Sequence, residues 1–233
     1  MRVLKKNKGK FTLDTLQILR QAEEVHLDLF NHLQSLERLN VLDIGCGVPF
    51  ASFEAYHSFN LSSVELLDTH PEMICVKNFI KGKSVTESDL KNASTFFEIY
   101  SSDFKSSPFN KPRIDNKVEF DAFFLPYFHC NTIQSFLAGS SMKYELIFAL
   151  NIFHLLGKEM ESTLLGVSKL LSEKGILISR VQERKDLKND LEFDYEVFKE
   201  TFGKCFEDAL IIEFYKDEEW HHSICMNRDL LNL

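Results

Sequence analysis

The sequence is short of the features that mark several protein classes at once. Its five cysteines (Cys46, Cys75, Cys130, Cys205 and Cys225) are odd in number, widely scattered and never spaced CxxC. Disulfide frameworks and zinc knuckles both need paired or close spacing, so these read as reduced thiols of a cytoplasmic protein, with no metal site. No run of about 18 uncharged apolar residues occurs, which excludes a helical membrane span. The opening MRVLKKNKGK has no apolar stretch behind its lysines, so it does not read as a secretory signal. Only 9 glycines and 5 prolines in 233 residues exclude collagen-like or low-complexity chains. What remains, 44% hydrophobic and 27% charged residues, suits one large domain or two small ones.

Charge is unevenly placed. Arg2, Lys5, Lys6, Lys8 and Lys10 stand in the first ten residues with no acid among them, and the chain's net charge of -8 therefore leaves -13 on the rest. A basic arm of this kind reads as a solvated terminus on an acidic body that repels polyanions, with contact to nucleic acid phosphates as the alternative.

Apolar periodicity orders the elements. Leu16, Leu19, Val25, Leu29, Leu33 and Leu36 recur at helical spacing, predicting an amphipathic helix over 13–36. NVLDIG (40–45) reads as a buried strand ending in a glycine turn, and Pro49 suits the first turn of a helix to about Phe59. VELLD (64–68) is a second strand, with a helix opening at Pro71. FFEIYSSD (96–103), YELIFALN (144–151) and ILISRVQ (176–182) follow as third, fourth and fifth strands. A helix over 158–173 is expected to close at Gly175 in a left-handed cap. Leu191, Tyr195, Phe198 and Phe202 mark another helix, and two final strands are too close for a crossover, so they pair antiparallel. Alternating strands and helices predict an open, mostly parallel sheet covered on both faces, a three-layer αβα sandwich. Residues 104–143 are too long for a plain crossover. Their aromatic run FDAFFLPYF is compatible with an extra strand, a helix or a lid.

Chemistry concentrates after the first strand. In such a sheet ligands bind beyond the carboxyl ends of the strands, where strand order reverses. Gly45 and Gly47 would let that loop approach a ligand, and Asp68 closes the second strand, placed to accept hydrogen bonds from both hydroxyls of a ribose. A dinucleotide fingerprint would want glycine where Phe50 stands, and the carboxylate of Asp43 suits a cationic head rather than a pyrophosphate. That argues against a nicotinamide-dependent oxidoreductase.

These motifs resemble the class I, Rossmann-like S-adenosylmethionine-dependent methyltransferases over roughly residues 38–230. VLDIGCG (41–47) resembles that family's first motif, LLDTHPEMI its second-strand acid and following helix, and FFEIYSSDF its third-strand end. YELIFALNIFHLL with LLSEKGILIS resembles its fourth and fifth strands. The family's usual third glycine falls at Pro49. The resemblance implies a seven-stranded sheet with a C-terminal antiparallel hairpin, an N-terminal arm and helix (1–37), a methyltransferase domain (38–233) and an insertion or lid between the third and fourth core strands, at 104–143. It implies S-adenosylmethionine as cofactor. Asp43, Gly45 and Gly47 would line its methionine side, Asp68 with Thr69 its ribose, Ser102 and Asp103 its adenine, and Leu150 the amino-acid end through its backbone. Asn151 and His154, just past the fourth strand, are the candidate catalytic residues, His154 either as a base near neutral pH or as a packing group. The acceptor would be a small molecule or a protein side chain. A methyltransferase-like binding protein without catalysis and an RNA methyltransferase using the basic arm stay open.

Overall fold

The computed structural model describes residues 2–6, 29–46, 50–69, 128–150, 152–182, 193–206, 209–217 and 220–227. Its strands are β1 (Arg2–Lys6), β2 (Leu39–Ile44), β3 (Leu61–Asp68), β4 (Phe128–Cys130), β5 (Tyr144–Leu150), β6 (Leu171–Gln182), β7 (Ala209–Asp217) and β8 (Trp220–Asn227). Its helices are α1 (Leu29–Ser35), α2 (Phe50–Ser58), α3 (Ile133–Gly139), α4 (Met160–Leu170) and α5 (Tyr195–Cys205). The strands form one sheet in the order β1-β7-β8-β6-β5-β2-β3-β4. All pairings are parallel except β6 with β8 and β7 with β8.

Two opposed faces follow from strand alternation. On one, Leu42, Ile44, Ile147, Ala149, Leu177 and Val181 lie under α4 and α5 in a single buried cluster rich in phenylalanine. On the other, Val41, Leu66, Phe148 and Ile178 are buried under α1 and α2, where Phe30 and Phe59 meet with ring centroids 5.1 Å apart. Central strands buried on both sides explain why β2 and β5 read as continuous apolar runs. Asp194 caps α5, its Oδ1 accepting from the backbone N–H of Glu196 at 2.8 Å and of Val197 at 3.3 Å.

Four sequence expectations change. The described strands number eight rather than seven. Arg2–Lys6, expected as a solvated arm, is an edge strand parallel to β7, from Arg2 opposite Leu210 to Lys6 opposite Phe214. Edge strands often carry lysine, which is why charge alone misread it. The seat beside β3 belongs to β4, inside the segment expected as an insertion, and Ile133 of α3 is buried in the core, so 128–143 is framework rather than lid. The strand expected at 96–103 lies outside the described residues, as do the helix expected from Pro71 and the amino-terminal part of the helix expected over 13–36. Finally, α4 stops at Leu170 and Gly175 lies within β6. A Cβ there would come 2.8 Å from the carbonyl oxygen of Tyr144, so a close approach between strands at a register shift, not a helix cap, requires glycine.

Candidate functional site

Strand order reverses at β2. The chain runs outward from β2 to β3 and β4, then returns to place β5 on the other side of β2. The crevice beyond the carboxyl ends of β2 and β5 is therefore the topological switch point.

Its rim is set by register. Asp43 of β2 lies opposite Leu66 on β3 and Phe148 on β5, and Asp68 and Leu150 each lie two residues further on, toward the carboxyl edge. Leu150 is paired with Arg180 of β6, and Asp68 with Cys130 of β4. With a side-chain period of two, Asp43, Asp68, Leu150 and Arg180 share the face covered by α1 and α2.

After β2 the chain turns sharply. Gly45 has φ +65°, in the left-handed region, and a Cβ there would come 3.0 Å from Cδ1 of Ile152, so Ile152 rests on the turn where a side chain would stand. The backbone N–H groups of Gly45 and Cys46 both donate to the carbonyl of Leu67, at 2.8 and 3.1 Å. Those bonds draw the first loop against the end of β3 and bring Gly45 beside Asp68.

Asp43 is only 3% exposed, and its Oδ2 accepts a 2.7 Å hydrogen bond from Oγ of Ser52 in α2. Burial raises its pKa to about 7; the Ser52 bond opposes that shift, and the charge of Asp68 adds to it. Burial likewise pushes the thiol of Cys46 well above its ordinary value, followed by the charges of Asp43 and Asp68. The cleft thus concentrates acidic potential at the ends of β2 and β3.

The expected site residues divide accordingly. Asp43, Gly45 and Asp68 come together, with exposed Thr69 immediately after β3 and Leu150 ending β5 across the crevice. Gly47, Asn151, Ser102, Asp103 and Pro49 lie outside the described residues. His154 sits in a short 3-10 turn, Phe153–Leu155, after β5, but is 4% exposed and meets the edge of Phe193 with centroids 6.1 Å apart. Phe193 belongs to the cluster under α4 and α5, so His154 is buried against that cluster. Sequence reasoning missed Ser52, which has no spacing signal, and Arg180, whose signal was a lone cation in the apolar run ILISRVQ. Among the described residues no group of three or more His, Cys, Asp or Glu could hold a metal ion, and no helix is long and apolar enough to cross a membrane.

No protein-family model matches the chain, and no curated protein does. Solved structures match it over nearly its full length. The plantazolicin methyltransferase BamL, solved with a triazolic desmethylPZN analog and SAH, superposes with a TM-score of 0.53 at 12% identity, covering 92% of this chain and 86% of its own. PH0226 protein from Pyrococcus horikoshii OT3 gives 0.50 at 12% identity, covering 93% and 92%. N-methyltransferase NodS from Bradyrhizobium japonicum WM9 gives 0.50 at 11% identity, covering 90% and 97%. The strand order, its reversal at β2 and these superpositions agree: the chain has the class I methyltransferase fold.

Proposed function

We propose that this protein is an S-adenosylmethionine-dependent methyltransferase acting on a small-molecule or protein acceptor. The observation that carries the reading is the joining of a left-handed glycine turn at Gly45 to a carboxylate at Asp68, on adjacent strands at the switch point. The neighbour BamL was solved with SAH, the demethylated form of that cofactor, which supports the same choice. When bound, S-adenosylmethionine supplies an electrophilic methyl group on a sulfonium.

The residues present fit such a ligand. In this reading Asp68, with Thr69 beside it, accepts hydrogen bonds from the ribose hydroxyls, and the Gly45 turn and the backbone at Leu150 frame the amino-acid end. Asp43 stands below that end, where a cationic head favours its ionised form. Ser102 and Asp103 keep the adenine role in this proposal, and Gly47 its place in the first loop. Asn151, following Leu150, is the candidate that faces the acceptor. His154, in the turn after β5, keeps its place in this proposal as the candidate base. Three of the five cations of the basic arm, Arg2, Lys5 and Lys6, belong to β1, which argues against the arm as a free RNA-binding tail.

Thermal denaturation with S-adenosylmethionine, S-adenosylhomocysteine, NAD and NADP tests the reading. The first two should raise the melting temperature and the dinucleotides should not; stabilisation by NAD or NADP alone would reverse the assignment. Asp68→Ala should weaken S-adenosylhomocysteine binding by about 1–3 kcal/mol in calorimetry, and unchanged affinity would remove Asp68 from the site.

A further inference from the structure

The loop between β2 and α2 is tied across its two ends. Asp43 stands on β2, two residues before Gly45, and Ser52 stands in the first turn of α2, which opens at Phe50. The hydroxyl of Ser52 donates to Oδ2 of Asp43 at 2.7 Å, so one hydrogen bond spans the loop that begins with the Gly45 turn. Ser52 is fully buried and Asp43 nearly so. Among the described residues Ser52 is the one hydrogen-bond donor to Asp43, and it engages Oδ2 alone.

A hydroxyl donor does not treat the two states of a carboxyl group alike. Its bond to the anion is shorter and stronger than its bond to the neutral acid, so it favours the charged form. At Asp43 that preference works against burial, the largest influence, and against the charge of Asp68 on β3. The other ionisable groups on the surrounding elements, among the described side chains, are Cys46 after β2, Tyr56 on α2, His32 on α1 and Arg180 on β6. Burial keeps Cys46 a thiol, and the ring of His32 reaches the carbonyl oxygen of Lys174 instead. Ser52 is therefore the group that holds a charge on Asp43 against its surroundings.

We propose that Ser52 is a positioning residue for the cofactor, holding Asp43 as a carboxylate for the ammonium end of the ligand and so setting the pH below which the site releases it. The inference rests on the methyltransferase reading and adds to it a regulation of that same site, a proton gate whose midpoint Ser52 fixes. Protonation of Asp43 removes the charge that attracts an ammonium group. It also weakens the bond that spans the first loop, since the acceptor is then neutral. Both changes act in the same direction. Binding of the cofactor draws the pair into its ionised form, and the proton shed by Asp43 passes to solvent. Ser52, having no exposed surface, acts on the ligand only through Asp43.

The test measures S-adenosylhomocysteine affinity of the full chain by calorimetry between about pH 6 and about pH 8.5, for the wild-type protein and Ser52→Ala. The ratio of the two affinities at each pH cancels the ligand's own titration. Asp43 titrates at about 7, and loss of the serine donor should move that midpoint up by about one pH unit. Ser52→Ala should then bind about fivefold more weakly than wild type near pH 7, and within about twofold of it near pH 8.5. Ser52→Thr, which keeps the hydroxyl, should follow the wild-type profile. A loss of affinity equal at every pH marks a merely structural serine and overturns the inference. So does an affinity unchanged throughout, or a Ser52→Thr profile that matches Ser52→Ala. Failure of the wild-type protein to bind S-adenosylhomocysteine sinks the methyltransferase reading separately, and the ligand-free protein still decides the role of Ser52. Its stability in urea should fall with rising pH until about pH 7 in wild type and until about pH 8 in Ser52→Ala, and an unmoved end point overturns the inference. Should Ser52→Ala fail to fold, Ser52→Cys, with its weaker donor, should give a smaller shift in the same direction, and no shift overturns the inference.

Discussion

The two faces of the sheet do different work. Under α4 and α5, Phe153, Phe193, Phe198, Phe202 and Phe206 interlock with Tyr195 in one buried cluster. Under α1 and α2 the strands carry comparable apolar residues low down, but at their carboxyl ends they turn to Asp43, Asp68 and Arg180. The first face holds the aromatic cluster, and the second carries the proposed ligand site. The burial of Asp43 is a cost borne for the site, because an ionised carboxylate there loses hydration that one serine bond does not replace.

The separation breaks most visibly at Phe198. Its ring is 2% exposed and lies 5.4–5.7 Å from the rings of Phe153, Phe193 and Phe202. Phe198→Ala should therefore cost about 3–5 kcal/mol of stability in urea denaturation, through lost burial and the cavity left behind. S-adenosylhomocysteine affinity of the folded variant should stay within about threefold, because Phe198 contacts the opposite face. A proportionate loss of affinity would show that the two faces are one unit.

Asp43 gives the next effect, and its sign is fixed by proton linkage. Its folded pKa is about 7 against an ordinary value of 3.8, so between those pH values the folded chain binds a proton that the unfolded chain does not. Stability of the ligand-free protein should then fall as pH rises from about 4 to about 7, by up to roughly 4 kcal/mol from this group alone. Asp43→Asn should flatten that part of the profile. A cationic ligand head near Asp43 favours the ionised form, so S-adenosylmethionine binding should release a proton near neutrality and weaken below pH 7. Calorimetry in buffers of different ionisation enthalpy reads the release directly; a slope unchanged in Asp43→Asn would remove the charge from the site.

How far this was legible in the sequence depends on the range of the forces involved. The β2 strand, its glycine turn, Asp43 and Asp68 were readable because local periodicity and one sharp turn specify them. β5 and α5 were readable for the same reason, and the Phe198 and Phe202 stripe is helical by spacing alone. β1 was not, since a five-residue basic strand owes its existence to hydrogen bonds with β7, about 200 positions away. Neither was the role of Gly175, which depends on the Tyr144 carbonyl across a register shift. His154 was visible as a histidine after a strand, but its contact with Phe193 is one that spacing does not reveal. Nor was the pairing of Arg180 with Leu150 legible, because register across parallel strands is set by the whole sheet.

The smallest effect tests the packed face from the opposite direction. Thr163 of α4 is 1% exposed, and its Oγ1 has no hydrogen-bond partner. It lies at the floor of a cleft of about 490 Å³ between α3 and α4, where Gly166 lets Leu137 approach the helix. A buried hydroxyl without a partner costs free energy that a methyl group of nearly the same shape does not. Both residues are β-branched, so helix propensity and rotamer entropy change little in the exchange. Thr163→Val should therefore stabilise the protein by about 1 kcal/mol in urea denaturation, with S-adenosylhomocysteine affinity unchanged. Destabilisation would show that the hydroxyl is satisfied in solution, by water entering the cleft, and that the packed face is wetter between α3 and α4 than beneath α5.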